Sequence, residues 1–305
     1  MRKNIRIVTI VTFLFALCAC NGDKDEKALM DRQSQKALLR KDSMALKIAT
    51  VPTMDCLPLF VGVEDSLFKK HGVDVRLKRR NAQLDCDTLM LGCHVEGCVS
   101  DLIRMERLRS QGMALSYVAA TDAYWKFISN RKVRVKEIKQ LSDKMVAMTR
   151  YSATEYLADL AIDSAKPKHD VFRVQINDVN IRLRMLLNNE MDAMMLTEPQ
   201  ATTALLYKHP VLMDSREKGL RLGVIAFREA ILQDKFRKEQ LKKFVKTYNE
   251  ICDSINLNGV QRYASVISKY MGADEKTIKA LPKLKYSHAV PPRQKDLDVA
   301  RKKWK

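Results

Sequence analysis

Twice along this chain, short apolar segments alternate with amphipathic ones, and few architectures accommodate that pattern. The first block runs LKIATV (46–51), CLPLFVGVEDSLFKKHG, VDVRLK (73–78), LDCDTLML, HVEGCVS (94–100), DLIRMERLRSQG and ALSYVAA (114–120). Strand-length runs take turns with segments whose apolar residues recur at helical spacing. Gly72, Gly92 and Gly112 close the three helical segments, and Asp101 stands as N-cap of the third. The second block repeats the pattern with KMVAMT (144–149), SATEYLADLAI (152–162), DVFRVQI (170–176), DVNIRLRMLLNNE and MDAMMLT (191–197), the last leading into EPQATTALLY. LGVIAF (222–227) adds one more strand, and 237–255 reads as an amphipathic helix through Leu241, Phe244, Val245, Tyr248 and Ile251. Strands separated by helices pair in parallel, because the crossover needs a dozen or more residues. The expectation is α/β: two lobes, each a mostly parallel sheet flanked by helices, with a ligand cleft between them.

The first 45 residues differ from the rest. Arg2, Lys3 and Arg6 precede an apolar run, IVTIVTFLFALCA (7–19), of signal-peptide length and too short to span a bilayer. The run ends in LCAC, which resembles a bacterial lipobox, so residues 1–19 are expected to be a lipoprotein signal peptide and Cys20 the acylated anchor. Residues 20–45 are polar and read as a tether with a helical stretch around 37–40. Asp23, Asp25 and Glu26 are similar to an export tag of surface-displayed lipoproteins, so the expected location is a membrane-anchored, periplasm-facing lipoprotein or the cell surface.

Lys and Arg outnumber Asp and Glu by 55 to 36, a net charge of +19. Residues 1–19 hold three basic residues and no acid, so their removal leaves +16 and the basicity belongs to the body. The basic residues are interleaved with acids, as in EAILQDKFRKEQLKKFVK, rather than gathered into an aromatic-laced stripe. That distribution suits a solvated surface and argues against nucleic acid as a partner.

Four segments carry a family resemblance. LKIATVPTMDCLPLFVGVEDSLFKKHGVDVRL, LMLGCHVEGCVSDLIRMERLRSQG, TRYSATEYLADLAI and LLNNEMDAMMLTEPQATTAL, in that order, resemble the type II periplasmic substrate-binding proteins of ABC importers. The branch is the one that handles sulfonates, nitrate and thiamine-pyrimidine precursors, and the match covers roughly residues 46–275. The resemblance implies lobe one from 46–122 plus 225–305, lobe two from 123–224, and two chain crossings at the hinge. It also implies a monomer that uses no cofactor, binds a small solute and delivers it to an ABC permease.

Candidate ligand residues follow from position. In TRYSATEY, Thr149 ends a strand and Ser152 to Thr154 open a helix, so free amides and the helix dipole meet hydroxyls and the Arg150 guanidinium in an anion-binding arrangement. Ser152 with Glu155 also fits a simple capping box. Thr53, Met54 and Asp55 follow the first strand in the equivalent place. Asp101 is an N-cap that the resemblance also places at the ligand. Thr121, Asp122, Tyr124 and Trp125 straddle the first crossing, and with Tyr151 they offer rings for a planar solute. Glu198 either accepts from a ligand amine or caps the helix after Pro199.

GCHVEGC (92–98) suggests metal ligands on paper, yet Cys56, Cys86 and Cys252 supply no second pair of suitable spacing. Small-residue packing around Gly97 and Cys98 is the favoured reading; export leaves a disulfide among Cys56, Cys86, Cys93 and Cys98 open. No catalytic group is expected, since His71, His94, His169, His209 and His288 are scattered. An exported or degenerate enzyme of the same fold, of the menaquinone-pathway or pyrimidine-forming kind, is the alternative.

Overall fold

The computed structural model describes residues 30, 32–37 and 39–304. The expected signal peptide, Cys20 and the acidic tag lie outside them. The chain divides into two compact units, residues 1–45 and 46–305. In the first, 32–37 and 39–44 are helical and almost wholly exposed, so helical structure extends beyond the stretch expected around 37–40.

The second unit holds two five-stranded sheets. β1 (Leu46–Thr50), α1 (Leu57–Glu64), β2 (Val75–Arg79), α2 (Gln83–Leu91), β3 (Gly97–Asp101), α3 (Leu102–Ser110) and β4 (Leu115–Ala120) form the first block. The second contains β5 (Lys126–Ser129), β6 (Met145–Met148), α4 (Ala153–Ala165), β7 (Phe172–Gln175), α5 (Val179–Leu187), β8 (Ala193–Leu196), α6 (Gln200–Leu206) and β9 (Val211–Asp214). β10 (Gly223–Arg228), α7 (Lys235–Asn258), α8 (Ala264–Met271), α9 (Glu275–Ala280) and α10 (Gln294–Lys302) complete the chain.

Strand orders are β2-β1-β3-β10-β4 and β7-β6-β8-β5-β9, one pattern used twice. In each sheet four strands run parallel and one runs against them. That strand is β10 in the first sheet, paired antiparallel with β3 and β4, and β5 in the second, paired antiparallel with β8 and β9. Each is the first strand after the chain has crossed from the other sheet. The sheets are mostly parallel, as expected, and each is mixed through that one reversed strand.

β5 and β9 escaped sequence reading for physical reasons. KFIS is four residues long and opens with a lysine, normally a surface signal, yet all four are buried because Lys126 Nζ donates to Glu198 Oε1 at 2.8 Å. VLMD is a short strand at the sheet margin without alternation. The helical segment expected to end at Gly72 comes in two pieces, α1 and a single turn at Leu67–Lys70, because Ser66 takes a left-handed conformation (φ 56°) between them. The helical tail packs as its spacing requires: Leu241, Phe244, Tyr248, Ile251 and Ile255 of α7 are buried, and Phe244 stacks on Phe68 at 5.3 Å and meets Phe227 edge-on at 5.6 Å.

The GCHVEGC segment is a helix end followed by a late-starting strand. Gly92 caps α2, Cys93 and His94 are exposed, and β3 begins at Gly97 rather than at His94. Gly97 lies beside Phe227 of β10, where a Cβ would come within 2.6 Å of the Phe227 ring and 2.7 Å of the Ala226 carbonyl oxygen. Gly97→Ala is therefore expected to cost about 1–3 kcal/mol through overpacking, seen as a lower urea midpoint at unchanged slope. Cys56, Cys86, Cys93, Cys98 and Cys252 are all free thiols, and no cluster able to hold a metal ion occurs among the described residues.

Candidate functional site

Parallel strands end on one side of each sheet, and the two sets of ends face one another. The first sheet brings Thr50, the loop 51–56, Asp101 and Thr121; the second brings Thr149, Ile176 and Thr197–Glu198. Direct bonds cross the seam: Met54 N to Glu198 O at 2.9 Å, Gln200 Nε2 to Pro52 O at 3.0 Å, and Arg104 Nη1 to Arg150 O at 3.0 Å.

One side of this seam is closed by the protein itself. Arg104 of α3 is buried, and its guanidinium grips Asp87 of α2 through Nε to Oδ1 at 3.2 Å and through Nη2 to Oδ2. Asp101, wholly buried, caps α3 by accepting from Arg104 N at 3.0 Å. Its carboxylate also faces the Ala153 amide at the start of α4, and burial pushes its pKa up to about 7. The hydroxyls at that helix start satisfy one another: Ser152 Oγ donates to Thr149 O at 2.6 Å, Thr154 N donates to Ser152 Oγ at 3.1 Å, and Thr149 N donates to Thr154 Oγ1 at 2.9 Å. The helix start expected to take a solute anion thus meets the protein's own carboxylate. At the outer rim Arg107 lies over the Tyr151 ring at 4.1 Å, Trp304 packs on Tyr151 at 5.9 Å, and Trp304 Nε1 donates to Ile103 O at 2.8 Å.

The other side of the seam opens into a cavity of about 430 Å³. Its floor includes Met54, Asp55, Tyr124 and Glu198. Its outer wall is an extended strap, residues 281–293, tied down where Tyr286 N donates to Asn256 Oδ1 at 2.9 Å and Ala120 N to Val290 O at 2.7 Å. Tyr286 is buried and donates its hydroxyl to Met54 O at 3.0 Å.

The charged groups around the cavity differ in how far they are committed. Glu198 is saturated: Oε1 accepts from Tyr124 Oη at 2.9 Å and Lys126 Nζ at 2.8 Å, and Oε2 accepts from Thr202 N at 2.9 Å and Thr202 Oγ1 at 2.6 Å. It caps α6 and props Tyr124. Arg216 lies over the Tyr124 ring at 4.1 Å while held by Asp214, and Arg293 is held by Asp296. Asp122 accepts from Ser287 N at 2.7 Å and stands 3.9 Å from Arg221. Asp55 has Thr53 Oγ1 on Oδ1 at 2.5 Å, and burial pushes its carboxyl pKa up. Lys283 and Lys285 are exposed at the rim and carry no ion pair among the described residues.

Of the residues singled out in the sequence, Met54, Asp55, Asp122 and Glu198 line this cavity and Thr53 supports Asp55. Thr121 is buried beside Gly223, whose missing Cβ would lie 2.1 Å from Thr121 Oγ1. Asp101, Ser152 and Thr154 belong to the closed side. Trp125 is buried in the core, and the Arg150 side chain is exposed outside the cavity. Sequence reasoning missed Asp87, Arg104, Arg216, Arg221, Lys283, Lys285 and Tyr286. A buried ion pair from two helices, and a strap 160 residues and more from the crossing it covers, leave no local pattern.

Two mixed sheets of matching strand order, exchanging their antiparallel strands across a double crossing, define the type II periplasmic-binding-protein fold. Solved structures agree. The aliphatic sulphonate binding protein SsuA of Escherichia coli superposes with TM-score 0.70 at 14% identity, over 85% of this chain and 84% of that one. The nitrate-binding protein NrtA of Synechocystis PCC 6803 gives 0.66 at 14%, over 83% and 74%. An ABC transporter protein of Parabacteroides distasonis gives 0.58 at 11%, over 86% and 90%. No curated protein sequence matches significantly. The chain belongs to the NMT1/THI5-like family, whose profile matches residues 53–250.

Proposed function

We propose that this chain is the solute-capturing component of an ABC importer, closing two lobes on a small anionic or heteroaromatic molecule and handing it to a permease. In this reading lobe one comprises 46–122 plus 225–305, lobe two comprises 123–224, and Cys20 carries the lipid anchor. Its partners are the solute, the permease and, through that anchor, a membrane; no catalytic step is assigned. The observation that carries the reading is the cavity at the facing carboxyl edges of the two sheets, the place where α/β folds bind ligands.

A second feature supports it. Among the described residues, Thr50 Oγ1, Ser100 Oγ, Asp101 Oδ2, Thr121 Oγ1, Arg182 Nε and Gln200 Oε1 are buried without a hydrogen-bond partner. Such atoms cost about 1–3 kcal/mol each, and they gather at or next to the strand ends that form the seam. A surface that parts and meets other polar groups accounts for that concentration better than a permanent core. No helix among the described residues is long and apolar enough to cross a membrane.

Thermal unfolding of residues 46–305, a compact unit by itself, tests the reading against sulfonates, nitrate, amino acids, thiamine and its pyrimidine precursors. A solute present at 100 times its dissociation constant adds about 2.7 kcal/mol. A shift with one chemical class is the expected result, and a well-folded protein indifferent to the whole panel contradicts it.

A further inference from the structure

Resting on the solute-binding reading, we propose that the cavity is built for a zwitterion: a compact organic acid that also bears a protonated amine, with Asp55 as the amine-recognising group. The other two carboxylates that line the cavity each have a cationic side chain within 4 Å, Lys126 for Glu198 and Arg221 for Asp122. Glu198 has four donors, and Asp122 has the Ser287 amide and Arg221 nearby. Asp55 has no cation beside it among the described residues; Thr53 donates to Oδ1, and the groups packed around it, Tyr248, Cys56 and Tyr286, are neutral when protonated. A half-buried carboxylate at a cavity wall gains from an ammonium, whose charge it compensates.

The mouth has the opposite bias. Arg216 and Arg293 are neutralised by Asp214 and Asp296, whereas Lys283 and Lys285 have no ion pair among the described residues and Arg221 has Asp122 only at 3.9 Å. An acid group leaving the floor therefore meets surplus positive charge. An acid without an amine leaves Asp55 unsatisfied, and an amine without an acid has no use for the rim.

The experiment uses the full chain and probe pairs that differ only in the amino group: β-alanine and propionate, 3-aminopropane-1-sulfonate and propane-1-sulfonate, 4-(aminomethyl)benzoate and 4-methylbenzoate. At least one amino member is expected to bind about 10-fold or more tighter than its partner. The preference should collapse to within about 2-fold in Asp55→Asn, whose melting temperature without probe is checked first. In Lys283→Ala/Lys285→Ala, exposed positions that leave the core intact, affinity should fall for both members of that pair together. Equal binding within every pair, or a preference that survives Asp55→Asn, overturns the zwitterion assignment and leaves solute binding standing. Failure of every probe on folded protein overturns both.

Discussion

Asp87→Ala is expected to lower the unfolding free energy by about 3–5 kcal/mol, a large share of the stability of an ordinary domain. The Arg104 guanidinium is wholly out of water, and Asp87 is the carboxylate that engages it on two nitrogens. Removing Asp87 leaves a buried charge with the Arg150 carbonyl and the more distant Asp101 for company. The double replacement Asp87→Leu/Arg104→Met should cost far less than Asp87→Ala alone, because no charge is then stranded. Urea unfolding of the three proteins decides this. A single variant as stable as the parent would mean that water reaches Arg104 and that the seam is open in solution.

The second large effect is a pH dependence at Asp101. Burial raises its folded-state pKa to about 7, against an ordinary value of 3.8 in the unfolded chain. Below pH 4 both states are protonated and the residue is neutral in the balance. Between about pH 4 and 7 the unfolded chain releases the proton while the folded protein keeps it, so this group's contribution falls as pH rises. Above about pH 7 both are ionised and the full penalty remains. Asp101→Asn keeps a residue type that caps helices and removes the ionisation. Relative to the parent it should gain about 3 kcal/mol between pH 5 and pH 8, at about 1.4 kcal/mol per unit of pKa displacement. Denaturant melts of both proteins across that range measure the difference; parallel curves would place Asp101 in contact with solvent.

The same residue shows where sequence reading works and where it stops. Asp101 was legible as an N-cap, since its position before an apolar-periodic run encodes that role locally, and the structure gives it the Arg104 amide. Its second role, facing the start of α4, depends on a lobe more than 40 residues away and on Arg104 being buried at its side. The alternating blocks likewise predicted eight of the strands, because hydrophobic period and glycine punctuation are local signals. β5 was hidden by Lys126, whose charge is cancelled by Glu198 some 70 residues downstream. The cavity divides the same way. Met54 and Asp55 stand at a strand end and were readable, while Lys283, Lys285 and Tyr286 reach it from an irregular strap whose course is set by Asn249 and Asn256 of α7. Arg150, attractive beside a helix start, is exposed and does not line the cavity.

The most direct test of solute capture is calorimetric titration of residues 46–305 with the best solute of the panel, repeated on Leu284→Trp. Leu284 lines the cavity from the strap and is partly exposed, so an indole fits there by filling the volume rather than by disturbing the core. Saturable one-to-one binding that falls at least about 100-fold in the variant, about 2.7 kcal/mol, is the predicted result. Unchanged affinity in a folded Leu284→Trp protein would contradict the claim that the solute is held between the lobes.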